Sequence, residues 1–413
     1  PKIEVGVDFA LSYTNRSTAS AFGNLIGIAV SPSIRHRNIF HGAEVFVTNI
    51  SAGVEVNPSG INDSTFWNTV DLQFQTELSF PRFNDYLGIW KLIDKLNWNR
   101  TKKAAGQDFY TSLQENAATR LSASFNYLLL LDFYRYNLFN ANYGFDIQRS
   151  NNRRYIINHL AIDYLRPRTE PAFDTILATN PFLERSFGQQ LFVSLLFRDF
   201  NMLFTSRVNR FGESHFIGTS FEVAGAEIWG ANKLYNALAG DSLIFKLGTT
   251  EFSQYLKGEA DFRYYRQFNS KNMLAGRFAF GLAVPFGFTS DVPYVKQFYV
   301  GGPSSIRGWP ARSLGPGGYE DVNFGVENIT NRLLFYQTGD IKLEFSLEYR
   351  FDLFWLFKGA FFLDGGNVWT LQEDPDRCGS QFRFSRSGLP CTGEGRSFRG
   401  PFYQQLALGT GFG

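Results

Sequence analysis

Cysteine, methionine and histidine are scarce in this chain, at two, two and four of 413 residues. Neither Cys378 nor Cys391 stands in a Cys-x-x-Cys pair or beside a histidine, so no zinc site is expected. His36 and His41 share one short turn and read as polar turn residues rather than ligands. Long apolar runs are missing too: the longest are no longer than residues 127–131, far below the roughly 18 residues of a membrane helix. A helical membrane protein is thereby excluded. Charge of one sign is also lacking, since 40 Lys+Arg against 38 Asp+Glu leave +2, with no basic run or acidic tail. Nucleic acid is therefore not an expected partner. No Gly-x-Ser-x-Gly nucleophile elbow and no Gly-Lys-Ser/Thr phosphate loop occur, so no catalytic residues and no cofactor are assigned.

What is abundant is aromatic. Forty-five Phe and 19 Tyr bring the aromatic share to 17%, while mean hydropathy is only −0.19. At 44% hydrophobic content the chain is too apolar for disorder, yet its apolar residues are dispersed. The dispersal has a period of two. Between residues 340 and 353 the odd positions are Ile341, Leu343, Phe345, Leu347, Tyr349, Phe351 and Leu353. The even ones are Asp340, Lys342, Glu344, Ser346, Glu348, Arg350 and Asp352. A pleated strand points successive side chains to opposite faces, so this strand is greasy on one face and charged on the other. The same alternation recurs near residues 66–80, 121–131 and 255–268.

A soluble β-sandwich would alternate as well. Three features favour a membrane barrel. The segments run to about 12–15 residues, longer than the roughly 5–6 of soluble strands. Aromatics crowd segment ends, as at Phe66-Trp67, Phe133-Tyr134 and Tyr264-Tyr265. The polar faces mix both charge signs, which suits a wet lumen better than a dry core. The fold class is thus all-β, a transmembrane antiparallel β-barrel occupying residues 1–413 as one domain. Strands are predicted near 3–13, 20–31, 42–56, 66–80, 113–131, 136–149, 152–166, 187–203, 214–226, 255–268, 272–286, 340–353, 356–370 and 402–413. Connections after the seventh, ninth, eleventh and thirteenth are long, and those after the eighth, tenth and twelfth short, as for outer loops and periplasmic turns. The connection near 81–112 breaks this pattern, and residues 87–96 read as an interfacial helix within it. The chain opens inside an extended segment and stops in mid-strand, and is read as the interior of a longer product.

The longest connection, about 290–339, holds Gln297-Phe298-Tyr299-Val300-Gly301-Gly302-Pro303-Ser304-Ser305-Ile306-Arg307-Gly308-Trp309. Arg307, set between Ile306 and Gly308-Trp309, suggests a tight turn whose tip presents one guanidinium. In a lumen rich in carboxylates such a tip folds inward and pairs with them.

This segment resembles the signature loop of the BamA/TamA superfamily of outer-membrane barrel assembly proteins and translocases, with its aromatic-x-Gly-Gly-x-x-Ser-[Ile/Val]-Arg-Gly-aromatic motif. Downstream, Ser346-Leu347-Glu348-Tyr349 and Phe361-Phe362-Leu363-Asp364-Gly365-Gly366-Asn367-Val368-Trp369 are similar to the family's next two strands. Residues 35–42 resemble its second turn, and 311–317 and 339–344 are similar to the TamA-like lipoprotein branch of the Bacteroidota. The resemblance implies an outer-membrane insertase or translocase of sixteen strands, of which about fourteen are readable here, with periplasmic POTRA repeats upstream. It implies a lumen loop between strands 11 and 12 carrying Gly301, Gly302, Ile306, Arg307, Gly308 and Trp309, with Glu348 and Asp364 as inner-wall partners of Arg307. Implied partners are outer-membrane lipid, unfolded outer-membrane clients, and periplasmic or lipoprotein accessory subunits or a TamB-like inner-membrane protein. A diffusion porin and the barrel of a fused patatin-type lipase are the alternatives. Cys378 and Cys391, in the outer loop after the thirteenth strand, are a disulfide candidate.

Overall fold

A computed structural model describes the chain except residues 1, 19–20, 57–66, 87, 97–108, 131–133, 179–183, 185–186, 241, 310, 321–336, 355–356, 375–376, 387–395 and 398–399. One antiparallel sheet dominates, and its strand order follows the sequence. The first seven strands are β1 (Ile3–Thr18), β2 (Ala21–Arg37), β3 (Val45–Val56), β4 (Trp67–Phe80), β5 (Ala117–Leu130), β6 (Tyr134–Ser150) and β7 (Arg153–Thr169). The eighth position is shared by two short pieces, β8 (Gln190–Ser194) and β9 (Asp199–Thr205), both hydrogen-bonded to β7. Then come β10 (Glu213–Ala224), β11 (Tyr255–Gln267), β12 (Asn272–Pro285), β13 (Ile341–Asp352), β14 (Lys358–Trp369) and β15 (Ala407–Phe412). Among the described residues β1 pairs only with β2, and β15 only with β14.

Fourteen staves at the expected places follow from the period-two pattern, but several boundaries differ. The segment expected at 113–131 begins as a helix, α2 (Phe109–Asn116), and turns to strand only at Ala117. The 187–203 segment is broken at 195–198, where Leu195, Leu196 and Phe197 run together and the alternation fails. The last segment starts at Ala407 rather than 402, after a 3₁₀ turn at Phe402–Gln404. The interfacial helix is α1 (Ile89–Leu96); Leu87 lies outside the described residues, as do Phe66 and Phe133. Two further helices, α3 (Pro171–Ala178) and α4 (Ala226–Ala239), occupy connections on the long-loop end.

The alternation sorts side chains as predicted. Ile50, Phe74, Phe125, Phe139, Phe262, Phe278, Leu347 and Tyr349 lie exposed on the outer face. The inner face carries charges that pair from stave to stave. Lys342 of β13 meets Glu259 of β11 at 3.3 Å, and Glu259 also meets Lys257. Arg277 of β12 and Arg263 of β11 share Asp261 at 2.9 and 2.8 Å. The loop leaving β12 at Phe286 touches inward side chains of β7, β10, β11, β13 and β14, so the sheet curls around it.

Candidate functional site: a loop clasped inside the barrel

The loop between β12 and β13 is closed at its neck by Phe298 and Gly339, whose N–H groups each donate to the other's carbonyl at 2.9 Å. Beyond the neck, Val300, Ile306 and Phe298 are buried with Val292, against Ala283 of β12 and Val368 of β14. This apolar anchor inside a polar lumen fixes where the tip can lie. Gly301 and Gly302 have φ of 97° and 92°, a region that side chains beyond glycine rarely enter. They reverse the chain so that Gly302 N–H donates to the Trp309 carbonyl at 2.7 Å, and residues 303–308 form the tip.

Arg307 leads that tip. Its Nε and Nη2 donate to Asp364 at 2.7 and 2.8 Å, a bidentate fork, and its backbone N–H adds a third bond to Oδ2 at 3.1 Å. Nη1 donates to Glu348 at 2.6 Å. The guanidinium also stacks 3.7 Å from the centroid of Phe362. Those hydrogen bonds to Asp364, and then to Glu348, hold the guanidinium above its ordinary pKa. Asp364 is fully buried and takes a further bond from Ser346 at 2.7 Å, while Glu348 is shared with Arg350. Gly308 and Trp309 lie on β15: a Cβ on Gly409 would stand 3.2 Å from the Trp309 ring and 3.6 Å from Gly308 Cα.

Of the eight residues singled out for this loop and its wall, Arg307 thus meets Glu348 of β13 and Asp364 of β14, Gly308 and Trp309 meet β15, Ile306 packs between β12 and β14, and Gly301 and Gly302 make the reversal behind the tip. Sequence reasoning missed Ser346, Phe362 and Gly409. It also missed Glu344, which accepts from Ser305 of the tip and lies 3.4 Å from Arg277. Their parity was readable; their height along the barrel was not. Cys378 is buried and disulfide-bonded, while Cys391 lies outside the described residues. His36 belongs to β2 and His41 to the turn after it, at φ 68°.

A second charged cluster holds the base of the loop. Arg198, at the break in the eighth stave, bonds Asp163 of β7 and lies 2.9 Å from Glu222 of β10. Lys296 of the loop reaches Glu222 at 2.7 Å, and Tyr255 donates to the same carboxylate at 2.6 Å. A polar cavity of about 280 Å³ opens beside it, lined by Asn140, Asp199, Asn201 and Glu259 among others.

The model of the Omp85 superfamily domain matches residues 48–413. BamA from Haemophilus ducreyi, in a crystal structure lacking POTRA domains 1–3, is similar at a TM-score of 0.55 and 12% identity, over 100% of this chain and 63% of that one. CdiB from Escherichia coli gives 0.47 and 12%, over 91% and 53%, and CdiB from Acinetobacter baumannii 0.46 and 9%, over 100% and 59%. The chain thus spans less than two thirds of the length of each of these proteins. No protein of curated function matches. With the motif loop seated on the wall and a family model matching most of its length, the chain belongs to the Omp85 superfamily, as a transmembrane antiparallel β-barrel of the bacterial outer membrane.

Proposed function

We propose that this barrel is the membrane part of an insertase or translocase that helps other β-barrel or surface proteins to assemble, without chemistry of its own. The observation that carries the reading is the Arg307 clasp, which ties the lumen loop to β13 and β14 while Gly308 and Trp309 rest on β15. A barrel that must part a seam to admit a client needs the rest of its wall held fast. A loop fastened to two adjacent staves from inside the lumen supplies such a brace. The client's strand adds to the parted edge by main-chain hydrogen bonds, that is, by β-augmentation. Unfolded outer-membrane proteins are the clients in this reading. Periplasmic or lipoprotein subunits, or a TamB-like inner-membrane protein, are the accessory partners.

Arg307→Ala is expected to weaken the folded barrel, seen as lost heat-modifiable mobility in gels, and to lower client levels in the outer membrane at the same time. Wild-type mobility together with normal client levels in that variant would sink the proposal.

A further inference from the structure

The connection between β4 and β5 stands on the short-turn end of the barrel, and its described residues 81–86 and 88–96 lie against the barrel's outer face. Its backbone is pinned there. Arg82 O accepts from Thr119 N and Oγ1 at 3.2 and 2.7 Å, Asn84 N–H donates to Thr119 Oγ1 at 2.9 Å, and Tyr143 donates to Asn84 O. Thr119 and Tyr143 share parity with Leu121, Phe125 and Phe139, the exposed apolar row of β5 and β6. Phe83 packs 4.6 Å from Phe145 on that same face.

α1 sits over an irregularity in the wall. The β6–β7 register shifts at Tyr143/Gly144, leaving His159 as an extra residue on β7. His159 Nδ1 bonds the Leu196 carbonyl at the break in the eighth stave, and its Nε2 accepts from the Trp90 indole at 2.9 Å.

The helix is turned opposite to the usual way. Trp90 faces the wall, against Phe145 and His159, and Asp94 one turn on is buried. Ile89, Leu92 and Ile93 recur at i, i+3 and i+4, the spacing of an amphipathic helix's apolar stripe. Leu92 and Ile93 are 57% and 41% exposed, pointing away from the protein. Lys91 and Lys95 take the third side and are exposed.

We infer that α1 is an in-plane membrane helix which seats Leu92 and Ile93 in the acyl region of the periplasmic leaflet, with Lys91 and Lys95 at its phospholipid headgroups. The occupant follows from continuity: α1 is mounted on the wall face that already meets lipid, and its own stripe extends that face sideways. Its three sides, one each for wall, acyl chain and charge, suit a helix lying at an interface. Short connections mark this end as periplasmic. The inference rests on the barrel's orientation in the membrane and not on the insertase reading.

The test is a nitroxide at Leu92→Cys or Ile93→Cys in the full chain, reconstituted in vesicles of phosphatidylethanolamine and phosphatidylglycerol. Cys378, being disulfide-bonded, does not compete for the label. Reference labels go on the lipid-facing wall at Phe125→Cys and in the turn at Lys271→Cys. The expected result is high collision with oxygen and low collision with a water-soluble nickel chelate, in a ratio within about twofold of that at position 125. A ratio like that at 271 would overturn the inference by placing the stripe in water. A label closed to both reagents would overturn it by placing protein over the stripe.

Discussion

The Arg307 guanidinium divides its bonds unequally, and the inequality can be measured. Asp364 accepts three hydrogen bonds from Arg307 and one from Ser346, fully out of solvent, whereas Glu348 accepts one from Arg307 and is shared with the exposed Arg350. Asp364→Asn is therefore expected to cost about 2–3 kcal/mol and Glu348→Gln about 1 kcal/mol, since charge-assisted bonds lost at a buried partner dominate. Urea unfolding in lipid vesicles would show this ranking, and equal shifts would contradict it. Arg307→Lys should behave nearly as badly as Arg307→Ala, because an ammonium cannot make the fork. Gly409→Val tests the tip alone: its Cβ would meet the Trp309 ring while Arg307 keeps both carboxylates. Faster protease nicking within residues 299–312, with little change in overall stability, is the expected outcome. Of these residues, Arg307, Glu348 and Asp364 were legible from a motif and from parity. Glu344, Ser346 and Phe362 were not, because alternation tells which face a side chain occupies, and only the pairing register tells what stands beside it.

Strands were the most legible elements, since one face in lipid and one in water imposes a strict period. The exceptions have local causes. The eighth stave breaks at residues 195–198, where the Arg198 N–H donates to the Asn158 carbonyl at 2.8 Å and the Leu196 carbonyl meets the His159 ring. The break turns Arg198 into the lumen, where it is 2% exposed. Arg198→Ala should cost about 3–5 kcal/mol by taking the nearest cation from Asp163 and Glu222 and leaving Lys296 to face both. Adding Glu222→Gln should recover part of that loss, a coupling that thermal melts of the double-mutant set would reveal. The unexpected helices carried end signals that went unread: Pro171 at the first helical position, and glycines 225 and 240 in left-handed conformation on either side of α4. At the loop's neck, Asp340 stands just outside β13 and accepts the Leu371 N–H at 3.0 Å. Desolvation pushes its pKa up to about 6 from an ordinary 3.8. A carboxyl raised by folding favours the folded form when protonated, so its contribution is full below about pH 4 and lost as pH rises through about 6. Amide exchange at 371–382 should accordingly quicken on the order of tenfold across that window, after correction for intrinsic exchange, and Asp340→Asn should abolish the dependence.

For the molecule as a whole, the loop lies within the charged wall and touches β7, β10, β11, β13 and β14. Single-channel recordings should show small, irregular currents. Replacing residues 299–312 by a Gly/Ser linker should convert them to a large, steady conductance; an unchanged trace would mean the loop does not occlude the pore. The curl and the faces of this sheet were legible from composition and period. The brace across it was legible only through the loop motif, because it joins residues far apart in sequence through contacts that leave no periodic trace. That separation has a consequence in time. Glu348 and Asp364 follow Arg307 by 41 and 57 positions, and the glycine beneath Trp309 lies later still. Arg307 has neither carboxylate to hold until β13 and β14 have taken their places, and contacts of such span form late. Arg307 therefore engages both carboxylates only after the two staves that follow its loop have arrived, so the clasp is a late event in the barrel's own assembly.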